Sequence, residues 1–328
     1  MSLSFHRLVA DVGGTHARFA SQFEPGAPLV ETGRYACADF PSLQDALRHH
    51  LGERKLSMPA EAAIGIATAI TGDAVRMTNN DWSFSIAQMK ASLGLNRLLV
   101  INDFTALALA LPALPREDLQ AIGGGTAVAG GAMALIGAGT GLGVSGLLPT
   151  AQQGGGYVPI AGEGGHVSLS TANAEEDAVL NVLRERFGHV SAERVLSGPG
   201  IENLYKALAE LRGLPAKAQG ASQVTATALD KTDAMAVDAL RLFSSLLGQA
   251  AGNLALTLGA RGGVYLGGGI VPRLGTAFDA ALFRERFEAK GRFQSYLAAI
   301  PTLLIRSSDE AALLGASRAL EPLEAVAS

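Results

Sequence analysis

At 328 residues, with 48% hydrophobic and 17% charged side chains, the chain has material for a large core and, at this length, for two domains sharing one cleft. A net charge of −4, with no Lys/Arg block longer than two residues, speaks against nucleic acid as the main partner. The single cysteine, Cys37, excludes an internal disulfide and a cysteine zinc cluster and fits a reducing cytosol.

No run of about 18 apolar residues is present, and Met1 to Phe5 carries no signal-peptide pattern. The expectation is a cytoplasmic enzyme with no membrane contact. Forty glycines are the unusual feature. They cluster beside apolar, strand-like runs, at Gly13-Gly14, Gly123 to Gly125, Gly137 to Gly146, Gly154 to Gly156, Gly162 to Gly165 and Gly267 to Gly269. Glycine at a strand end lets backbone approach a ligand closely. Repeated use of that device points to a ligand with several phosphates.

Leu8 to Thr15 reads as a strand and a tight glycine turn, and Ala17 to Phe23 as a return strand. A hairpin excludes both a Rossmann fingerprint and a Walker A loop, since each needs a helix next. The turn can still offer the N–H groups of Gly13, Gly14 and Thr15 to phosphate oxygens. Asp11 would then face the phosphates. Bare, it would repel them, so its expected role is to hold a hydrated Mg²⁺. The competing reading is a plain Gly-Gly hairpin.

Pro41 precedes an amphipathic helix over Ser42 to Leu51, and Ala62 to Ala67 reads as a strand. Val75 to Trp82 sets amide and hydroxyl groups beside the only tryptophan, as a sugar-lining segment or as a polar loop with one packed indole. Ser85 to Leu93 is helical. Leu98 to Ile101 reads as a buried strand ending at Asn102-Asp103. Ligands gather at strand carboxyl ends in open α/β sheets, so Asp103 is placed to act as a general base. A helix cap is the alternative, because Thr105 to Leu111 is Ala/Leu-rich and helical. The domain boundary falls near residue 112, at Pro112 and Pro115.

Met133 to Val144 repeats the first device: strand, glycine turn with Thr140, then strand through Leu148. Two such hairpins suggest an internal duplication, with a triphosphate clamped from both sides. In Glu163-Gly-Gly-His166 the glycines make a helical metal pair improbable. The acid and imidazole instead suit hydrogen bonds to vicinal hydroxyls, with an unpartnered loop histidine as the alternative. Ser191 is placed to cap a turn carrying Glu193, which is either a third sugar ligand or a surface acid paired to Arg194. Glu175 to Phe187 and Val237 to Leu258 read as helices, the second in the core. Gly263 to Pro272 reads as strand, glycine turn and helix start, with room for a flat purine against backbone. Phe278 to Lys290 is a helix, Thr302 to Ile305 a strand, and Glu310 to Leu320 a helix that packs back on the first domain.

Together these residues resemble the bacterial glucokinases, within the hexokinase–actin–heat-shock-ATPase superfamily, over nearly the whole chain. The motifs that carry the resemblance are Asp11 to Thr15, Ile101 to Phe104, Gly137 to Gly143, Gly162 to His166, His189 to Gly200 and Gly267 to Pro272. The His189 to Gly200 stretch is far more specific to this group than the two phosphate loops. The cysteine-rich zinc motif of related repressor–kinases is not in the sequence, so no zinc is expected.

The resemblance implies an α/β, two-domain actin-like ATPase (ribonuclease H-like) fold with a central cleft. The small domain would span 1–112 plus 307–328 and the large one 113–306. It implies ATP-dependent phosphorylation of the glucose 6-hydroxyl, with Asp103 as base. Asn102, Asp103, Glu163, His166 and Glu193 would hold the sugar. Ala10, Asp11, Val12, Gly13, Gly14 and Thr15, with Gly139, Thr140, Gly141 and Gly268, would hold ATP, and Asp11 would hold Mg²⁺ through water. A homodimer is usual in the family. Three other readings stand beside this one: a kinase for another hexose, a non-catalytic sugar sensor, and a structural ATPase with protein partners. A sensor needs a helix-turn-helix and a basic face, and neither is visible. A structural ATPase would not need Glu163, His166 and Glu193.

Overall fold

The computed structural model describes residues 5–78, 80–150 and 156–321. Chain packing divides it into two units. The first comprises Met1–Leu114, Thr150–Ala161 and Ser307–Ser328, the second Pro115–Pro149 and Gly162–Arg306. The segment Thr150–Ala161, expected in the larger domain, therefore groups with the first unit.

The first unit opens with β1 (Arg7–Val12), buried throughout, which pairs antiparallel with β2 (His16–Gln22) so that Asp11 lies directly opposite Arg18. An edge strand, β3 (Val30–Ala36), extends this hairpin. α1 (Leu43–Glu53) begins where the Ser42 hydroxyl accepts from the Asp45 N–H. It buries Leu43, Ala46, Leu47, His50 and Leu51, the spacing of one helix face. β4 (Glu61–Ile66) runs parallel to β1. The short pair β5 (Ala74–Arg76) and β6 (Ser83–Ser85) leads to α2 (Ile86–Leu93), which closes on Gly94 in the left-handed conformation. Trp82 is buried there, its indole N–H donating to the Phe40 carbonyl at 3.0 Å, so the segment before it follows the packed-indole reading. β7 (Arg97–Asn102) runs parallel to β4 and passes directly into α3 (Asp103–Ala110). The sheet order is β3-β2-β1-β4-β7.

The second unit begins with β8 (Leu119–Ala121), β9 (Met133–Ala138) and β10 (Leu142–Pro149). The chain then gives β11 (Tyr157–Ile160) to the first unit. It returns with α4 (Ala174–Phe187), α5 (Gly198–Leu211), α6 (Gly220–Leu229) and α7 (Ala234–Leu258). β12 (Gly263–Gly267), α8 (Ile270–Leu274), α9 (Ala280–Glu288), α10 (Gln294–Ala298) and β13 (Thr302–Ile305) complete it. Its strands run in the order β10-β9-β12-β13-β8. β9 pairs antiparallel with β10 and parallel with β12, which is parallel to β13. The set β2-β1-β4-β7 in the first unit has the same plan, a hairpin followed by two parallel strands. The repeat inferred from the two glycine turns thus extends to whole sheets.

The last helix, α11 (Ser308–Ala319), belongs to the first unit and packs on α3. Gly315 makes that crossing possible, because a Cβ there would collide with the Ala106 carbonyl. Val9, Ala20, Ala63, Ala106, Leu313, Ala316 and Leu320 form the buried cluster under the two helices. No helix among the described residues is long and apolar enough to cross a membrane.

Two buried polar groups set testable limits on stability. Glu176, on α4, has no exposed side-chain surface. It accepts from Arg286 Nη2 at 3.0 Å, the Ser245 hydroxyl at 2.9 Å and the Ala172 N–H at 2.8 Å. Glu176→Ala strands the Arg286 charge and should cost about 3–5 kcal/mol, read from urea unfolding. His50 is fully buried on Phe19, and its Nε2 has no hydrogen-bond partner among the described residues. Burial pushes its pKa from 6.5 down to about 4. The unfolded chain therefore takes up a proton that the native state refuses, and stability is lost as pH falls from 6.5 towards 4. The thermal midpoint of wild type should fall in that window, and the part of the fall due to this group should vanish in His50→Leu.

Candidate active site

The first glycine turn is held open from outside. The Gly13 N–H closes the hairpin on the His16 carbonyl at 2.9 Å. Cys37 N–H donates to the Thr15 carbonyl at 2.8 Å, and Asn80 Nδ2 reaches the Gly14 carbonyl at 3.5 Å. The N–H groups of Gly14 and Thr15 have no partner among the described residues, so the donors expected to meet phosphate narrow from three to these two. Cys37 and Asn80 were not expected here. Nothing local in the sequence ties them to the turn; Asn79, beside Asn80, lies outside the described residues.

Asp11 is buried at the end of β1, between Ala10 and Val12. Its Oδ2 accepts from Arg18 Nη1 at 2.8 Å, and Arg18 Nη2 reaches Asp309 Oδ2, on α11, at 2.6 Å. Burial pushes the Asp11 carboxyl up to about 7; the Arg18 guanidinium pulls it down, while Asp103 and Asp309 push it further up. Two strands away, Asn102 and Asp103 sit where β7 becomes α3. The Asn102 Oδ1 accepts from the N–H groups of Phe104 and Thr105 at 2.9 and 3.2 Å, so the cap reading holds for this residue. Its Nδ2 points to the Thr68 carbonyl at 3.4 Å, leaving the amide as the part that can serve a sugar. Asp103, half-buried, accepts through Oδ1 from the Phe104 N–H at 2.9 Å. The positive end of α3 favours its charge.

In the second unit the Gly139 N–H closes the second turn on the Gly141 carbonyl at 2.8 Å. The Gly198 N–H, at the start of α5, grips the Gly139 carbonyl at 2.9 Å. Pro199 in the first turn of that helix and the Ser197 hydroxyl accepting from Gly200 explain why a Gly-Pro-Gly run, which reads as a loop, starts a helix. Gly268 has φ +76, and a Cβ there would collide with the Ala138 carbonyl, so the β12 turn lies directly on the end of β9.

Glu163 precedes and His166 ends one short 3-10 turn, Gly164–His166, and both are exposed. The expectation of no helix at this point is thus met except for that single turn. Alongside it, the Ala192 and Glu193 N–H groups donate to the carbonyls of Val167 and Gly165, each at 2.9 Å. The Ser191 hydroxyl accepts from Arg194, as the capping pattern suggested. Glu193 does not pair with Arg194, whose guanidinium lies over the Phe187 ring. Its Oε2 accepts instead from the Leu142 N–H at 2.9 Å. The described residues hold no group of three metal-ligating side chains. In the two units taken separately, the candidate residues offer carboxylates, one imidazole, one amide and backbone N–H donors.

The Asp11 environment makes a stability prediction. Its native pKa lies above the unfolded value of 3.8, so the folded state binds the extra proton between about 4 and 7, and stability falls as pH rises through that window. Asp11→Asn never ionises. Its melting midpoint should rise relative to wild type as pH goes from 4 to 8, as read by calorimetry.

The glucokinase family profile matches residues 8–323. The glucokinase of Aromatoleum aromaticum is 51% identical over 319 residues, covering 97% of this chain and 95% of that protein. The crystal structure of a glucokinase from an Antarctic psychrotroph aligns with a TM-score of 0.87 at 38% identity, covering 96% of this chain and 98% of the other. A glucokinase of the ROK family from Streptomyces griseus, crystallised with glucose and AMPPNP, shares the fold, with a TM-score of 0.62, 20% identity and coverage of 95% and 98%. The α/β architecture is that of the actin-like sugar kinases. Sequence likeness at that level, over nearly the whole chain, means that the chain belongs to the glucokinase family.

Proposed function

We propose that this chain transfers the γ-phosphoryl group of ATP to the 6-hydroxyl of glucose, giving glucose 6-phosphate and ADP, with Asp103 as the general base. The observation that carries the assignment of the base is its position. Asp103 sits at the carboxyl end of β7 and the amino end of α3, electrostatically coupled to Asp11 at the first glycine turn. Phosphoryl transfer asks little covalent chemistry of a protein, so positioning and charge compensation dominate. Asp103 takes the proton of the 6-hydroxyl as its oxygen attacks the γ-phosphorus in line.

The two turns and the Gly268 loop hold the nucleotide through backbone N–H groups. Asn102, Glu163, His166 and Glu193 hold the sugar hydroxyls. A site that pairs each hydroxyl with a polar group rejects sugars lacking one, because the partner is left unpaired. Asp11 alone, already paired to Arg18, is a poor direct metal ligand. It suits a hydrated Mg²⁺ whose other contacts come from the triphosphate, and such an ion would offset charge on the β and γ oxygens. The protein works in the cytoplasm as a homodimer.

ADP release from purified protein with ATP, Mg²⁺ and a panel of hexoses tests the reaction: release should depend on glucose and fall away with mannose, fructose and glucosamine. Asp103→Asn should lower kcat about 10²–10⁴-fold. Near-normal turnover in that variant would place the base elsewhere.

A further inference from the structure

Glu193 occupies an unusual position for a residue read only as a sugar ligand. Its main chain is tied to the Glu163–His166 loop through its N–H on the Gly165 carbonyl. Its carboxylate leaves that loop and accepts from the Leu142 N–H, at the end of the second glycine turn. The two loops also touch directly. A Cβ at Gly165 would collide with the Leu142 carbonyl, and a Cβ at Gly141 would collide with Glu193 Oε2. Below the contact, the Ser197 hydroxyl donates to the Glu193 carbonyl at 2.7 Å, and the next residue, Gly198, grips Gly139. One short segment, Glu193 to Gly198, thus holds the sugar loop at one end and the phosphate turn at the other.

From this contact we infer that Glu193 couples the two substrates: one carboxylate oxygen fixes the Gly139–Leu142 turn while the other receives a sugar hydroxyl, so that glucose and nucleotide each favour the binding of the other. The inference rests on the reading of Glu193 as a sugar ligand. The physical basis is shared ordering. A sugar hydroxyl donating to Oε1 fixes the rotamer that presents Oε2 to Leu142, and a turn ordered by phosphate fixes the same rotamer from the other side. Linkage requires the effect to be reciprocal.

The test is calorimetry on the full chain: wild type should bind glucose at least five-fold more tightly with AMPPNP present than without it, and equal affinities refute the coupling. Gly141→Ala lies in the phosphate turn, yet its methyl would displace the Glu193 carboxylate, a flexible group that can give way without unfolding the protein. It should weaken glucose binding at least five-fold with no nucleotide present, the low end of typical coupling. Reciprocally, Glu193→Ala, which removes the acceptor for the Leu142 N–H, should weaken AMPPNP binding several-fold in the absence of sugar. If Gly141→Ala binds glucose as wild type does, the coupling is refuted; if that variant fails to fold, Glu193→Ala decides, and unchanged AMPPNP affinity refutes it. If wild type binds no glucose at all, the sugar-site reading has failed instead, so the two failures are distinguishable.

Discussion

The Arg18 guanidinium donates from Nη1 to Asp11 and from Nη2 to Asp309, and its field holds the Asp11 carboxyl down against burial and the fields of Asp103 and Asp309. Without that cation the end of the first sheet would bring carboxylates together in a buried place, where each disfavours ionisation of the next. The planar fork matters as much as the charge. A lysine ammonium would not present two separated donors in one plane, and it shifts its own pKa readily when desolvated. Arg18 faces Asp11 across the hairpin because β1 and β2 are in register there, so the charge pair is a direct product of the turn length.

The same cation reaches the last helix of the chain. Asp309 stands in the first turn of α11, and α11 crosses α3 at backbone contact through Gly315. α3 therefore carries Asp103 between two constraints. One is the Asn102 cap, which fixes where the helix begins; the other is the apolar seam of Ala106, Leu313, Ala316 and Leu320, which fixes how it lies. A base must be held to a fraction of an ångström to act efficiently. A segment more than 200 positions later in the chain thus contributes to the placing of Asp103 without touching any reactant.

The parts of this arrangement that were legible in the sequence are those with local causes. Both glycine turns, the strand ending at Asp103 and the Ser191 cap follow from residue spacing alone. α5 was not legible, because Ser197-Gly-Pro-Gly reads as a loop until one sees that the proline sits where a helix leaves its N–H groups unpaired anyway. β3 was missed because an exposed edge strand carries polar residues and no apolar alternation. The roles of Cys37, Asn80 and Asp309 were invisible for a different reason. Each depends on a contact between distant parts of the chain, and no spacing rule announces it. Glu193 is intermediate: its candidacy was visible, but its orientation away from Arg194 and towards Leu142 was decided by tertiary packing.

The two units repeat one device but supply its carboxylate differently. In the first hairpin the acid comes from the strand itself, Asp11, two residues before the turn glycine. The corresponding place before Gly139 is Gly137, whose Cβ would strike the Gly267 backbone, so no side chain fits there at all. The second turn receives its carboxylate from outside, from Glu193. A strand-borne acid is fixed by the sheet and can only tune what sits on its own turn. An acid carried on a separate loop can be shared with whatever else that loop binds, and the loop here is paired to the one bearing Glu163 and His166. The absent side chain at position 137 and the carboxylate at position 193 thus complement each other at the second turn.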